Sequence, residues 1–262
     1  MDGQGVVFAI GAVLLGAIAG SFLNVLSFRF GTGRSVIYGR SHCMRCGHVL
    51  TFFDLIPVFS YLALAGRCRY CSSAISLQYP LVEISAALLS LGIYLLVFNP
   101  YWFCYWFIVW MTLLFIVVYD LRHAIIPRAP SLLLVILGFG RALFLLPASP
   151  HTLLAGVVLA LPLFLLSFVS KGQWMGWGDG ILELSLGWLL GFSLGLTALM
   201  LAFWSGAGIG IVLLFASRRW KTKASRFTMK SEIPFAPFLV LGAAIVYFLH
   251  VDLFFSLSSL LS

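Results

Sequence analysis

Long apolar runs recur from one end of the chain to the other, and they strongly restrict how it can fold. A helix needs about 20 apolar residues to cross the hydrocarbon core of a bilayer. Such runs cover 5–28, 82–98, 101–119, 131–146, 152–169, 181–194, 196–216 and 235–250. Only 9% of the residues are charged, against about a quarter in soluble domains. We therefore predict an all-α polytopic membrane protein with about eight transmembrane helices, in which 181–216 forms two helices or one interrupted hairpin.

Basic residues predict the orientation of these spans, because cytoplasmic loops of membrane proteins carry an excess of Lys and Arg. If the N-terminus lies outside, the segments 29–80, 120–130, 170–180 and 217–234 lie inside and hold 15 of the 16 basic residues. The predicted topology puts both termini outside and every sizeable loop in the cytoplasm. No basic segment precedes the first apolar run, so we expect a spanning helix there and not a cleavable signal peptide.

The net charge of +8 does not indicate nucleic-acid binding. The basic residues lie in short segments between the spans and form no basic groove with interleaved aromatic residues. The most basic segment, "RRWKTKASRFTMK" (218–230), is typical of an orientation anchor. Its alternative role is contact with acidic lipid head groups or with an acidic segment of a substrate.

Two of the eight acidic residues stand at span ends that the topology brings to the same side, Asp120 in "VVYDLRHAIIP" and Asp179 in "GWGDGIL". Two facing carboxyl groups that share one proton supply a general base and a general acid, and they can activate water against a peptide carbonyl. Gly176, Gly178 and Gly180 leave the backbone uncovered, so we expect another chain to approach it closely. In the alternative reading, each aspartate only caps or flanks a helix.

Four cysteines form two C-x-x-C pairs in the segment after the first span, "CMRC" (43–46) and "CRYC" (68–71). This spacing allows Cys43, Cys46, Cys68 and Cys71 to surround one tetrahedral Zn²⁺. Disulfides or a redox pair are weaker alternatives in the reducing cytoplasm. Because four protein ligands close the coordination shell, we predict a structural zinc site that folds a loop with little core of its own.

Several motifs together resemble one family. "GWGDG" matches the GxGD motif of intramembrane-type aspartyl proteases, and "YDLRHAIIP" resembles the first-aspartate motif of type IV prepilin peptidases. "GSFLNVLSFR" (20–29) resembles that family's first span, the segment 41–83 its cytoplasmic loop, and "IPFAPFLVLGA" (233–243) its last span. The resemblance covers nearly the whole chain in the expected order.

The resemblance implies a membrane aspartyl endopeptidase of the bacterial inner membrane. Such enzymes remove the leader from type IV prepilin and type II secretion pseudopilin precursors, and many methylate the new N-terminus with S-adenosyl-L-methionine. Carried over, Asp120 and Asp179 would be the catalytic pair, acting at the cytoplasmic face. Glu83, in "YPLVE", would contact the substrate or the methyl donor; its alternative is an interfacial helix start. Methylation rests on the resemblance alone.

The chain departs from the family pattern at two positions beside the aspartates. Ile181 stands where the family usually has Lys, and Arg128 follows Pro127 where Asn or Asp is usual. Ile181 therefore removes a cation that would steady Asp179 or the bound substrate. Glu183 lies four residues after Asp179, on the same helical face, and we expect it to support Asp179 or to pack.

The predicted organisation has three parts: a first transmembrane helix (1–28), a cytoplasmic zinc-binding loop domain with the four cysteines (29–80) and a transmembrane aspartyl peptidase bundle (81–262). Prepilin and pseudopilin precursors and membrane lipids are the expected partners. Two other functions stay open at this stage. A carboxylate-based transporter would place its acids near the bilayer midplane in repeated halves, and a non-catalytic assembly protein would tolerate Asp→Asn changes.

Overall fold

The computed structural model describes residues 3–33, 35–36, 38–144, 150–219 and 234–254. Within these residues the regular structure is helical, which confirms the predicted all-α class, and only two isolated β-bridges occur. The helices are α1 (Gly3–Arg29), α2 (Phe59–Ala63), α3 (Gln78–Leu96), α4 (Pro100–His123), α5 (Arg128–Phe144), α6 (Pro150–Val169), α7 (Trp177–Leu190), α8 (Phe192–Arg219) and α9 (Ala236–Leu249), with a short 3-10 helix at Phe52–Leu55.

Five helices in the described part of the chain are long and apolar enough to cross a membrane: α1, α3, α4, α6 and α8. The other three predicted spans coincide with α5, α7 and α9, which have 17, 14 and 14 residues. A 14-residue helix is about 21 Å long, less than the hydrocarbon thickness of about 30 Å. The length and apolar composition of its helices therefore identify the chain as a polytopic membrane protein. The count of eight transmembrane helices stays a prediction.

The segment 181–216 forms two helices, which decides between the two alternatives that the sequence allowed. α7 ends at Leu190, and Gly191 has a φ of +84°, a conformation that residues with a Cβ rarely adopt. α8 begins at the next residue.

The chain divides into two compact units, Met1–Val118 and Tyr119–Ser262. This boundary falls inside α4 and differs from the three-part division expected from the sequence, which stays a prediction. The predicted orientation anchor, 218–230, lies outside the described residues from 220 onward.

In the first unit, α1 packs directly on α3. Gly16 and Gly20 allow this approach, since a Cβ at Gly20 would lie 2.8 Å from the Cα of Glu83. Small residues serve the same purpose where helices meet in lipid. The Ser90 hydroxyl also donates to the Ala12 carbonyl at 2.7 Å.

In the second unit, α7 is the central helix and packs against α5, α6, α8 and α9. Leu182, Leu186 and Leu189 of α7 are almost fully buried. The α6–α7 contact is close enough that a Cβ at Gly187 would lie 2.7 Å from the Cα of Gly156. This packing holds the N-terminal turn of α7, which carries Asp179.

Candidate active site and metal centre

Asp179 is the third residue of α7, and its carboxyl group caps the N-terminus of this helix. Its Oδ2 accepts the Gly176 N–H at 3.2 Å, and the residue is 7% exposed. An acidic side chain in the first turn is favoured by the helix dipole and satisfies a backbone N–H that has no partner within the helix. The capping role that the sequence left open is therefore present, and it is compatible with a chemical role.

Asp120 lies one turn before the end of α4 and is buried, with 4% exposure. Its carboxyl group accepts the backbone N–H of Ala236, the first residue of α9. Within the described part of the chain, Oδ2 of Asp120 has no hydrogen-bond partner. One oxygen of this carboxyl is thus held by a backbone N–H, while the other is buried and has no partner among the described residues.

Chain segments far apart in sequence bring the two aspartates together. Ile126, in the segment after Asp120, packs on Gly178, where an added Cβ would lie 2.7 Å from the Ile126 Cβ. The carboxyl groups of Asp120 and Asp179 are close enough to interact electrostatically. Because like charges in a buried site repel strongly, the pair favours sharing one proton. This is the charge state that a general acid–base pair needs.

Two of the three glycines around Asp179 do not serve the purpose expected from the sequence. The space next to Gly178 is filled by Ile126, and the space next to Gly180 by the ring of Phe164, at 2.7 Å from an added Cβ. Both glycines therefore allow the protein's own side chains to pack closely. Gly176 is exposed, so the approach to the backbone is open at that residue.

Glu183 is completely buried, one turn along α7 from Asp179. Neither of its carboxyl oxygens has a hydrogen-bond partner among the described residues. The sequence predicted support of Asp179 or packing, and the burial is compatible with both.

The four cysteines form one cluster in the first unit, as the sequence predicted. Their Sγ atoms all lie within 4.8 Å of one another, and the Cys43 Sγ is 3.9 Å from the Cys71 Sγ. Zn–S bonds of about 2.3 Å place the sulfur atoms of a tetrahedral site about 3.8 Å apart. The cysteines are free thiols, so the donor set and the spacing fit a metal ion.

The two C-x-x-C pairs fold as matching turns, which explains how they form one site. The Cys43 N–H donates to the His48 carbonyl and the Cys68 N–H to the Ser73 carbonyl, both at 2.9 Å. The residue after each pair, Gly47 or Ser72, has a positive φ, +71° or +55°. Each turn thus points both of its thiols at the other turn.

Backbone and hydroxyl groups around the cluster favour thiolate at two positions. The N–H groups of Cys46 and Arg45 lower the pKa of the Cys43 thiol to about 6. The Ser73 hydroxyl and N–H lower the pKa of the Cys71 thiol. The His48 N–H lowers the pKa of the Cys46 thiol, but lost hydration and the adjacent Cys43 and Cys71 together outweigh it and raise that pKa to about 11. Thiolate is the form that binds metal.

Asp54 joins the second cysteine turn to the 3-10 helix. It accepts the Thr51 N–H at 3.0 Å and the Arg69 Nε–H at 2.8 Å, and Arg69 is the residue after Cys68. Partial burial alone would raise the pKa of the Asp54 carboxyl, but the bonds from Thr51 and Arg69 lower it. The ion pair between Asp54 and Arg69 therefore connects the second cysteine turn to the 3-10 helix.

Glu83 lies on α3, five residues after its first residue, and is 6% exposed. The structure therefore does not place it at a helix start. Its Oε2 accepts the Val58 N–H at 2.7 Å, and the Ser21 hydroxyl also donates to it. Glu83 lines a cavity of about 530 Å³ within the first unit, together with Arg29, Asp54, Tyr61, Tyr79 and the cysteine loop. This volume falls within the range of small-molecule sites.

Comparison with known proteins places these two sites in a family. Residues 14–97 match the model of the bacterial peptidase A24 N-terminal domain, and residues 105–211 match the model of the type IV leader peptidase family. A prepilin leader peptidase/N-methyltransferase of Pseudomonas aeruginosa is 30% identical over 90% of this chain and 88% of its own length. The chain belongs to the type IV leader peptidase family.

Other members of the type IV leader peptidase family show similar agreement. The prepilin leader peptidase/N-methyltransferase of Myxococcus xanthus is 33% identical over 82% of this chain and 66% of its own length. That of Burkholderia pseudomallei (strain 1026b) is 29% identical over 90% and 84%. No solved structure matches the chain.

The two candidate sites fall in different family-model matches. The N-terminal match contains all four cysteines and Glu83, and the second match contains Asp120, Asp179 and Glu183. Ile126, Ala236 and Val58 complete these sites through packing or backbone N–H groups. Because such contributions depend on geometry and not on side-chain chemistry, the motifs that contain these three residues do not single them out.

Proposed function

We propose that this protein is an aspartyl endopeptidase of the inner membrane that removes the leader from type IV prepilin and pseudopilin precursors. The observation that carries the proposal is the pair of buried carboxyl groups, Asp120 and Asp179, brought within charge range from two distant helices. The named activity of the relatives supports the same conclusion.

Peptide hydrolysis by this pair needs one ionised and one protonated carboxyl. The ionised group takes a proton from water as the water oxygen attacks the scissile carbonyl carbon, and the protonated group gives its proton to the carbonyl oxygen. As the tetrahedral intermediate collapses, the C–N bond breaks and the leaving amine receives the proton that the base took from water. One hydroxyl of the intermediate returns its proton to the carboxylate that had acted as the acid, which leaves the new carboxyl group and restores the pair. The bond from the Ala236 N–H and the bond from the Gly176 N–H hold the two carboxyl groups in place.

The cytoplasmic membrane face is the proposed location of cleavage. Both aspartates stand beside the segments 120–130 and 170–180, which the distribution of Lys and Arg assigns to the inside. A precursor whose apolar N-terminal helix lies in the bilayer would present its leader at this face.

Methylation of the new N-terminal amine is the second proposed activity. We assign S-adenosyl-L-methionine to the cavity of the first unit, where Glu83 and Asp54 offer carboxylates to a cationic ligand and Tyr61 and Tyr79 offer apolar rings. When bound, this donor supplies an electrophilic methyl group. The four-cysteine cluster would hold Zn²⁺ as a structural ion that fixes the wall of the same cavity, because Cys43 and Cys68 line it.

The proposal is tested with purified protein, a pilin-type precursor and S-adenosyl-L-methionine, with product masses as the readout. We expect Asp120→Asn and Asp179→Asn each to lower the cleavage rate at least about 1,000-fold, since such losses follow removal of catalytic groups. Asp252→Asn is the matched control, because Asp252 binds the Ser193 hydroxyl near the start of α8, at the opposite end of α7. Cleavage at the wild-type rate by either aspartate variant would favour a non-catalytic or transport role.

A further inference from the structure

The segment 51–64, in the loop between α1 and α3, has the opposite polarity to a loop that is surrounded by water. Four of its large apolar side chains are 69–78% exposed: Phe52, Phe53, Phe59 and Leu62. Asp54 is the only charged residue of the segment, and its side chain is 2% exposed because it turns inward to pair with Arg69. A loop in water normally exposes its charged groups, and a large exposed apolar patch marks a contact with another molecule or a membrane.

Two contacts place this segment below the ends of the helices that flank it. The Val58 N–H donates to the Glu83 carboxylate at 2.7 Å, and the Ser21 hydroxyl donates to the same group. Glu83 lies five residues after the start of α3, and Ser21 lies eight residues before the end of α1. At a rise of about 1.5 Å per residue, Val58 is held about 7 Å along α3 and about 12 Å along α1 from these helix ends.

α3 is only just long enough to cross a bilayer, and this sets the depth of the contact. Its 19 residues measure about 28 Å, close to the hydrocarbon thickness of about 30 Å. Its first residue, Gln78, therefore lies near the edge of the hydrocarbon, and Glu83 lies inside that edge. The residues next to the two contact positions, Phe22 on α1 and Ile84 on α3, are apolar and exposed, as lipid-facing positions are.

We propose that the segment 51–64 is an interfacial anchor, whose exposed Phe and Leu side chains lie among the lipid acyl chains of the leaflet on this side of the bilayer. Segments that lie in the membrane plane bury their apolar face about 5–10 Å into the boundary between head groups and acyl chains, which agrees with the depth of Val58. Lipid is the partner that this position favours, because it surrounds α1 and α3 at this level whether or not a precursor is bound. The inference requires that α1 and α3 span the membrane, and it requires neither proposed activity.

The inner side of the same segment faces the cavity of the first unit. Ser60, Tyr61 and Leu64 line that cavity, while Phe59 and Leu62, which alternate with them, are exposed. The segment is therefore a wall with the cavity on one side and lipid on the other. Contact with lipid holds this wall in place, together with the bond from the Val58 N–H to Glu83.

Photo-crosslinking of the full chain in nanodiscs of phosphatidylethanolamine and phosphatidylglycerol tests the anchor. The photoreactive residue p-benzoylphenylalanine replaces Phe59 in one variant and Leu62 in another, and mass spectrometry identifies what light attaches to each. We expect acyl-chain adducts at both positions. Tyr38 is the matched control position, since it is an aromatic residue of the same loop with 81% exposure, and Arg29 at the end of α1 donates to its carbonyl. The same replacement at Tyr38 should give no acyl-chain adduct.

Each other outcome of the crosslinking overturns the proposal. Missing lipid adducts at positions 59 and 62, or equal yields there and at position 38, would show that water surrounds the segment. Adducts between two copies of the chain would show an interface between protomers instead. Lipid adducts that disappear when a pilin-type precursor is added would identify this face as a docking surface for the precursor.

Thermal unfolding in the same nanodiscs gives a second measurement. Phe59 is largely exposed, so in a loop surrounded by water its replacement by Asp would change the unfolding temperature little. Among acyl chains a carboxylate is strongly disfavoured, so we expect Phe59→Asp to unfold at a lower temperature than wild type. Tyr38→Asp is the control and should unfold at the wild-type temperature. An unchanged unfolding temperature in Phe59→Asp would contradict the anchor.

Discussion

Val58 has a backbone conformation that β-branched residues rarely adopt, with a φ of +61°. Such a conformation costs of order 1–3 kcal/mol and persists only where its surroundings impose it. Here the Glu83 carboxylate accepts the Val58 N–H, and Tyr61, three residues later, lines the same cavity as Glu83. Glu83 is thus placed to hold this turn, and it lines the cavity that we propose for the methyl donor.

At Glu83 we predict that substitution separates the two activities. Glu83→Ala should weaken S-adenosyl-L-methionine binding at least about tenfold, the effect of losing a charge-assisted contact, and leave leader removal unchanged. Calorimetric titration and product masses measure the two effects. Adding Val58→Gly to Glu83→Ala relieves the backbone strain. If the double variant regains binding, Glu83 only holds the turn, and its assignment to the donor is wrong.

The chemical groups of the site could be predicted from the sequence, whereas the groups that position them could not. Asp120, Asp179 and the four cysteines are side chains whose chemistry and spacing indicate a role. Val58 and Ala236 contribute a backbone N–H, which every residue except proline has, so no residue type signals it. Only the tertiary structure shows that these N–H groups point at Glu83 and Asp120.

At the scale of the helices, glycines set how closely α7 approaches its neighbours. Gly180 contacts the Phe164 ring of α6, and Gly187 contacts the backbone of Gly156. The sequence predicted that glycines beside Asp179 would admit a substrate, because their absent side chains leave room. It could not show which group occupies that room, since the pairing of helices depends on contacts between distant segments.

We predict that Gly180→Ala destabilises the second unit by about 1–3 kcal/mol, the usual cost of overpacking. The added Cβ would lie 2.7 Å from the Phe164 ring, so the ring or the two helices must shift at the turn that holds Asp179. Thermal unfolding in detergent and cleavage rate measure the effect. Phe164→Ala in the same chain should restore the fit around position 180.

Gly140→Ala is the matched control for this change. Gly140 is also helical, but no atom outside its own helix turn lies within 4 Å of an added Cβ. Ala is favoured over Gly in a helix by about 1 kcal/mol, so this variant should be as stable as wild type or more stable. Equal destabilisation by both substitutions would show that the Phe164 contact is not the cause.

At the scale of the molecule, each proposed site is built from residues of one compact unit. The cysteine cluster, Glu83 and the cavity lie in Met1–Val118, while Asp120, Asp179 and Glu183 lie in Tyr119–Ser262. The sequence predicted the membrane class because apolar runs are a local property. It placed the domain boundary elsewhere because α1 packs on α3 and so belongs to a larger unit. Hydrogen bonds between these two helices join residues that are 55 to 89 positions apart in the sequence.

Because the described residues of each proposed site belong to one unit, we predict that the two reactions can be carried out by two different chains. In one set of vesicles, Glu83→Ala protein should trim the precursor without methylating it, and Asp179→Asn protein should do neither. Together in the same bilayer they should yield trimmed and methylated product, since the first chain releases the amine that the second can modify. The same variants in separate vesicles are the control and should give trimmed product only. If the shared bilayer also gives only unmethylated product, the prediction is wrong. The new N-terminus must then be methylated by the same chain that cut the precursor.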